Sequence, residues 1–327
     1  GPGPFDPATG EFIPPAHEGP AYNRVFGQAM LRFGEKVPEL VAVTAAMADG
    51  TGLKEFGVKF PERFFDVGIA ESHAVTFAAG LARGGMLPVV CIYSTFLQRA
   101  YDQVIEDVCL QKLKVVFAID RAGIVGEDGE THHGQFDISF LRTVPGLTIM
   151  APKDEQELVN MLWTALEIEG PCAIRYPRGQ GVGVPFEDSL REPKILTPGK
   201  AEVIVQGSDI NILALGSMVQ PAVEASEILA KRGVSCGVIN ARFVAPLDTK
   251  AITDIVNRAP VLVAEENISD GGFGEAVINF AGASGRDINK LALPLEFIAH
   301  GSQKELRRIL GLDTSAIVRS IEEILAR

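Results

Sequence analysis

A chain of 327 residues is long enough for about two domains, each burying its own core. Hydrophobic residues at 46% and charged residues at 22% exclude a disordered chain, and no apolar run approaches the ~18–20 residues of a membrane span. The net charge of −12, from 30 basic and 42 acidic residues, repels nucleic acid and anionic membranes, so any anion site must be a local basic pocket. The opening GPGPFDPATGEF has neither the basic start nor the apolar segment of a secretion signal, and Gly1–Pro2 read as a protease-cleavage scar. The 4 cysteines, Cys91, Cys109, Cys172 and Cys236, lie far apart beside apolar segments, and read as reduced core thiols of a cytoplasmic protein.

Beyond an extension over 1–19, strand-like runs alternate with amphipathic helical patterns. A helix is expected near 22–35, then strands at 40–44 and 88–93 with a helix near 71–83 between them. A helix near 96–112, strands at 114–120 and 147–151 and a helix near 154–168 complete a first domain over 20–180. The stretch 181–200 is rich in Gly, Pro and charge and reads as a linker. A second domain over 201–327 follows: strands at 209–216, 233–239 and 260–266 alternate with helices near 219–232, 248–258 and from 273, and helices at 303–310 and 314–326 close it. The class is α/β: two consecutive α/β domains with mainly parallel sheets.

Three segments carry chemistry. In DVGIAESHAVTFAAGLA (66–82) a short strand turns through Gly68 into a small, apolar helix opened by Glu71. A glutamate favours any first helical turn, but one at the mouth of an interior helix needs a partner, and a ligand nitrogen is one. CIYSTFLQRAYDQ (91–103) puts Tyr93, Ser94, Phe96 and Arg99 at a strand end, the edge where parallel sheets place ligands; taken singly, Phe96 also reads as a core aromatic and Arg99 as a surface cation. DRAGIVGEDGETHHGQFD (120–137) is a polar loop in which His132 near Asp128 reads as a proton shuttle, a surface loop or a metal site. Adjacent imidazoles lack the spacing of a zinc site on a helix face. Arg121, Arg175 and Arg178 stand at strand ends, either as guanidinium forks for one phosphate or as structural ion pairs.

Together DVGIAESH, YSTFLQRAYDQ, DRAGIVGEDGETHHG and RYPRG resemble the thiamine-diphosphate enzymes of the transketolase family, over practically the whole chain. The resemblance implies a pyrimidine-binding domain followed by a C-terminal domain, in a homodimer. The branch most similar condenses pyruvate with D-glyceraldehyde 3-phosphate, releases carbon dioxide and makes a 1-deoxy sugar phosphate that feeds isoprenoid, thiamine and pyridoxal synthesis. By the same resemblance Glu71 bonds a ring nitrogen of the cofactor's aminopyrimidine and favours the tautomer that takes the thiazolium proton. Phe96 stacks on that ring, and Ile69 and Arg99 complete the pocket. Tyr93, Arg121 and Arg178 hold the triose phosphate, while His132 and Asp128 lie near the reacting carbonyl. The family grips the diphosphate and Mg²⁺ with a Gly-Asp-Gly segment; ADG (48–50), EDG (127–129) and SDG (269–271) all depart from it. The expectation is therefore half of a cofactor site, metal-free, inactive until a preceding diphosphate-binding domain is supplied. A split transketolase subunit, a 2-oxo-acid dehydrogenase beta subunit and a non-catalytic dimerisation module are the competing readings.

Overall fold

The computed structural model describes residues 9–10, 19–282 and 287–327, so most of the expected extension over 1–19, including FDPATGEF, lies outside the described residues. Among the described residues twelve strands form two sheets: β1 Leu40–Thr44, β2 Phe64–Asp66, β3 Leu87–Tyr93, β4 Val116–Asp120, β5 Thr148–Met150, β6 Cys172–Arg175, β7 Glu202–Val205, β8 Ile210–Ala214, β9 Cys236–Asn240, β10 Phe243–Ala245, β11 Val261–Ile268 and β12 Ile288–Leu293. The first sheet has seven strands in the order β10-β5-β6-β4-β3-β1-β2, and the second five in the order β12-β11-β8-β9-β7. All pairings are parallel except β10 with β5 and β7 with β9. Parallel strands need helical crossovers, which cover both faces; β1, β4 and β6 are accordingly buried throughout. The strand period of two divides the core: Val90, Ile92, Phe117 and Ile119 face one apolar layer, and Val89, Cys91, Val116 and Ala118 the other. A third layer packs the helices Val219–Ala230 and Thr314–Leu325 on the second sheet. Among the described residues no helix is long and apolar enough to cross a membrane.

The helices expected near 22–35, 71–83 and 154–168 span Tyr22–Lys36, Glu71–Arg83 and Glu155–Glu167. The single helix expected over 96–112 does not form. Ser94–Leu97 is α-helical, Gln98–Ala100 is 3₁₀, Tyr101–Gln103 is a further α turn and Val104–Cys109 is π-helical. Ser72 of the neighbouring helix donates its hydroxyl to the Arg99 carbonyl at 2.7 Å, so a foreign donor meets a group that a regular helix would satisfy itself, and the ladder breaks there.

Strand β10 lies beyond the expected linker yet joins the first sheet, beside β5. Arg175 at the end of β6 reinforces the junction: it pairs with Asp137 at 2.9 Å and donates to the Glu266 carbonyl at 3.0 Å. The two halves therefore share a sheet and the buried hydrogen bond from Arg175 to the Glu266 carbonyl, and Arg175 is taken out of the group of arginines open to a ligand.

Candidate active site

Strands β1, β3, β4 and β6 run parallel, so their C-terminal ends meet at one edge, where the turns into the following segments leave side chains free for a ligand. Asp66 shapes the first turn. Its Oδ1 accepts the Ala46 and Gly68 N–H groups at 2.8 and 3.0 Å, and Gly68 takes a left-handed φ of 73°, which turns the chain into the helix opened by Glu71. Glu71 is 4% exposed, and Arg99 reaches its carboxylate at 3.5 Å from an exposed position. Ile69 is 78% exposed, so within this chain it closes no pocket.

At the end of β3, Tyr93 stacks on Phe96 with ring centroids 5.9 Å apart, and Phe96 meets His132 edge-on at 5.4 Å. The Arg99 guanidinium lies 5.9 Å from the Phe96 ring centre. Gly50 makes room for Tyr93: a Cβ there would fall 1.6 Å from the phenol oxygen. Burial raises the Tyr93 phenol, with Arg121 opposing, so it stays a neutral donor. The Arg121 guanidinium lies over Tyr93, 3.9 Å from the ring centre, and bonds Asp128 at 2.6 Å. Arg178 approaches the same carboxylate at 3.4 Å and donates to the Val125 carbonyl at 2.6 Å. One aspartate thus bridges two guanidiniums that come from different strands. His132 has its Nδ1 2.9 Å from the Thr131 hydroxyl. A continuous run of contacts links Glu71, Arg99, Phe96, Tyr93, His132, Arg121, Asp128 and Arg178, leaving Ile69 alone outside it.

The structure adds residues that sequence reading passes over. Asp120 closes β4, fully buried, and accepts the Arg121 N–H at 2.6 Å, which holds Arg121 at a left-handed φ of 60°. Burial lifts its carboxyl to about 7 despite Arg121. In sequence it is merely the last residue of an apolar strand. His133, not its neighbour, is the buried histidine: Nδ1 accepts the Val125 N–H at 3.1 Å and Nε2 lies 3.2 Å from the Ala299 carbonyl, which fixes the neutral tautomer with its proton on Nε2. Desolvation lowers its affinity for a second proton.

The donor set suits the pyrimidine end of the implied cofactor. A buried carboxylate and a half-buried phenyl ring both meet Arg99, and the Ser94 hydroxyl, against Gly134, is buried with no hydrogen-bond partner among the described residues. Among the described residues no group of three or more His, Cys, Asp or Glu is arranged to hold a metal.

Residues 18–182 match the transketolase pyrimidine binding domain and residues 199–317 the transketolase C-terminal domain. The chain belongs to the transketolase family. Its relatives within that family are more particular: it is 52% identical over 330 residues to 1-deoxy-D-xylulose-5-phosphate synthase 1 of Geobacter sulfurreducens, covering 100% of this chain and 51% of that protein. Against the 1-deoxy-D-xylulose-5-phosphate synthase of Thermomicrobium roseum the identity is 56% over 311 residues, 94% of this chain and 49% of the relative. The chain spans about half the length of the curated relatives it matches. Among solved structures, a split-gene transketolase described as an inactive beta4 tetramer superposes with a TM-score of 0.84 at 29% identity, covering 94% of this chain and 99% of that one. The transketolase of Campylobacter jejuni gives 0.77 at 20% identity, covering 95% and 48% respectively, and supports the fold alone.

Proposed function

We propose that this chain is the pyrimidine-binding and acceptor-binding part of a 1-deoxy-D-xylulose-5-phosphate synthase, which joins pyruvate to D-glyceraldehyde 3-phosphate with loss of carbon dioxide. The observation that carries the reading is a buried carboxylate, Glu71, and an aromatic ring, Phe96, that both meet Arg99, with Tyr93 linking that ring to two guanidiniums sharing one counter-ion. When bound, thiamine diphosphate supplies the carbon nucleophile and electron sink for decarboxylating pyruvate. Glu71 holds or takes a proton at a pyrimidine nitrogen, Phe96 stacks on that ring, and Arg99 keeps the carboxylate oriented. Arg121 and Arg178 bind the acceptor phosphate bidentately, Tyr93 backs Arg121, and Asp128 and His132 orient and protonate at the acceptor carbonyl. The diphosphate and Mg²⁺ fall to a part of the enzyme outside this chain, and the assembled form is a homodimer.

The test is reconstitution. This chain is mixed with the half of the Geobacter sulfurreducens relative that it leaves unmatched, thiamine diphosphate and Mg²⁺, and product is assayed. Glu71→Ala is expected to lower the rate by roughly 10²- to 10⁴-fold, the scale of a lost acid–base group; an active mixture indifferent to Glu71 overturns the assignment. A naturally separate subunit is the second reading, favoured by the split-gene neighbour, of which this chain covers 99%. Light scattering on the chain alone and on the mixture separates the two: a stable self-assembled oligomer that must dissociate to become active supports the second.

A further inference from the structure

The loop 121–134, which carries Arg121, Asp128 and His132, is held from the second half of the chain. The Glu266 carboxylate accepts the Ile124 N–H at 3.2 Å, and Glu266 is itself gripped by Arg307 through two contacts of 3.1 Å. Burial opposes its charge, but Arg307, the Ser217 hydroxyl at 2.6 Å and the Ile124 N–H together keep the carboxyl below its ordinary value. Arg307 lies on the helix Gln303–Ile309, anchored by the buried Leu306. One turn earlier on that helix, the Gln303 amide nitrogen donates to the Ile124 carbonyl at 2.6 Å and to the Arg178 carbonyl at 3.1 Å. Those carbonyls belong to the segments following β4 and β6, one bearing Arg121 and the other Arg178. A carboxamide carries two N–H groups on a single nitrogen, so a single side chain spans both segments and fixes the distance between them.

We propose that Gln303 is a positioning residue that sets the spacing of the Arg121–Arg178 guanidinium pair, and with it the preference for an acceptor aldehyde ending in a phosphate dianion. This rests on the reading that those two arginines take the acceptor phosphate. Two forks clasp one dianion only at a narrow separation, and the C-terminal half, which offers no group to the reacting atoms in that reading, controls the separation through this amide and the Glu266–Arg307 pair beneath it.

The experiment titrates the chain with inorganic phosphate, D-glyceraldehyde 3-phosphate and unphosphorylated D-glyceraldehyde, followed by NMR. Gln303→Met keeps the volume and removes both donors; Gln303→Glu keeps the shape, removes the donors and carries the test should the methionine variant fail to fold. Both are expected to weaken the two phosphate-bearing probes by about tenfold, the worth of one net hydrogen bond. Binding of the neutral aldehyde is expected to stay unchanged. In the reconstituted enzyme the same variants raise KM for the phosphorylated acceptor while kcat and KM for pyruvate hold, a split that general loosening of the fold does not produce. Wild-type affinity for phosphate in a folded Gln303 variant overturns the proposal and leaves the arginine assignment standing. Wild-type chain that binds phosphate no better than Arg178→Ala overturns the arginine assignment, and the role of Gln303 with it.

Discussion

Glu71 and Asp120 are carboxylates buried at the same sheet edge, and only the first is legible without coordinates. Glu71 sits at the mouth of a helix whose alanines announce close packing, whereas Asp120 ends an apolar run in which nothing marks it as buried and bonded to its neighbour's amide. The consequence of that burial is a pH dependence. In an unfolded chain an aspartate titrates near 3.9, about three units below its position here of about 7. Between those values the native state holds a proton that the unfolded chain has released, so stability falls as pH rises from about 4 to about 7 and is level above. Glu265, lifted to about 7 by burial although it accepts two helix N–H groups from Phe273 and Gly274, acts in the same direction. The urea midpoint is therefore expected to be lower at pH 8 than at pH 5. Asp120→Asn, uncharged throughout and still able to accept the Arg121 N–H, is expected to flatten part of that slope and raise the midpoint at pH 8. Identical slopes in the two proteins would show that Asp120 does not carry the effect.

Among the elements, the long strands and well-separated helices follow from apolar periodicity, because each buries a face whose spacing is written in its own residues. The segment 94–112 departs from that pattern because the cause of its break is a hydroxyl on another helix, Ser72, which no local pattern reveals. The loop 121–134 teaches the same lesson. Gly123 and Gly134 exchange backbone hydrogen bonds at 2.7 and 2.8 Å and fold the loop back on itself. A Cβ at Gly134 would lie 2.3 Å from the Arg121 carbonyl and 2.6 Å from Ser94. Gly134→Ala is accordingly expected to cost about 1–3 kcal/mol by overpacking and to push Arg121 from its place over Tyr93. Thermal unfolding measures the first effect, and loss of phosphate binding measures the second; a variant normal in both would mean that the loop tolerates the displacement.

Across the whole molecule, the alternation of strands and helices discloses two α/β units, while the passage of β10 into the first sheet depends on tertiary contacts and is invisible in a three-residue segment. That shared sheet, with the bond from Arg175 to the Glu266 carbonyl and the hold of Gln303 on the loop, joins the halves. One cooperative transition is expected. The sole tryptophan, Trp163, lies in the first half and reports only its surroundings, whereas far-UV dichroism averages over both halves. Coincident denaturation curves from the two probes are the expected result; a dichroism transition that persists after the fluorescence change is complete would show the halves unfolding apart. The inward placement of every sulfhydryl has a practical side. Cys91, Cys109, Cys172 and Cys236 are all buried, and burial pushes Cys109, Cys172 and Cys236 up to about 12 and Cys91 well above its ordinary value. Maleimide reagents, which need a thiolate within reach, leave such groups alone. An Ile69→Cys substitution therefore gives a single handle for a dye beside Glu71, where docking of a partner polypeptide could be watched directly as a change in emission.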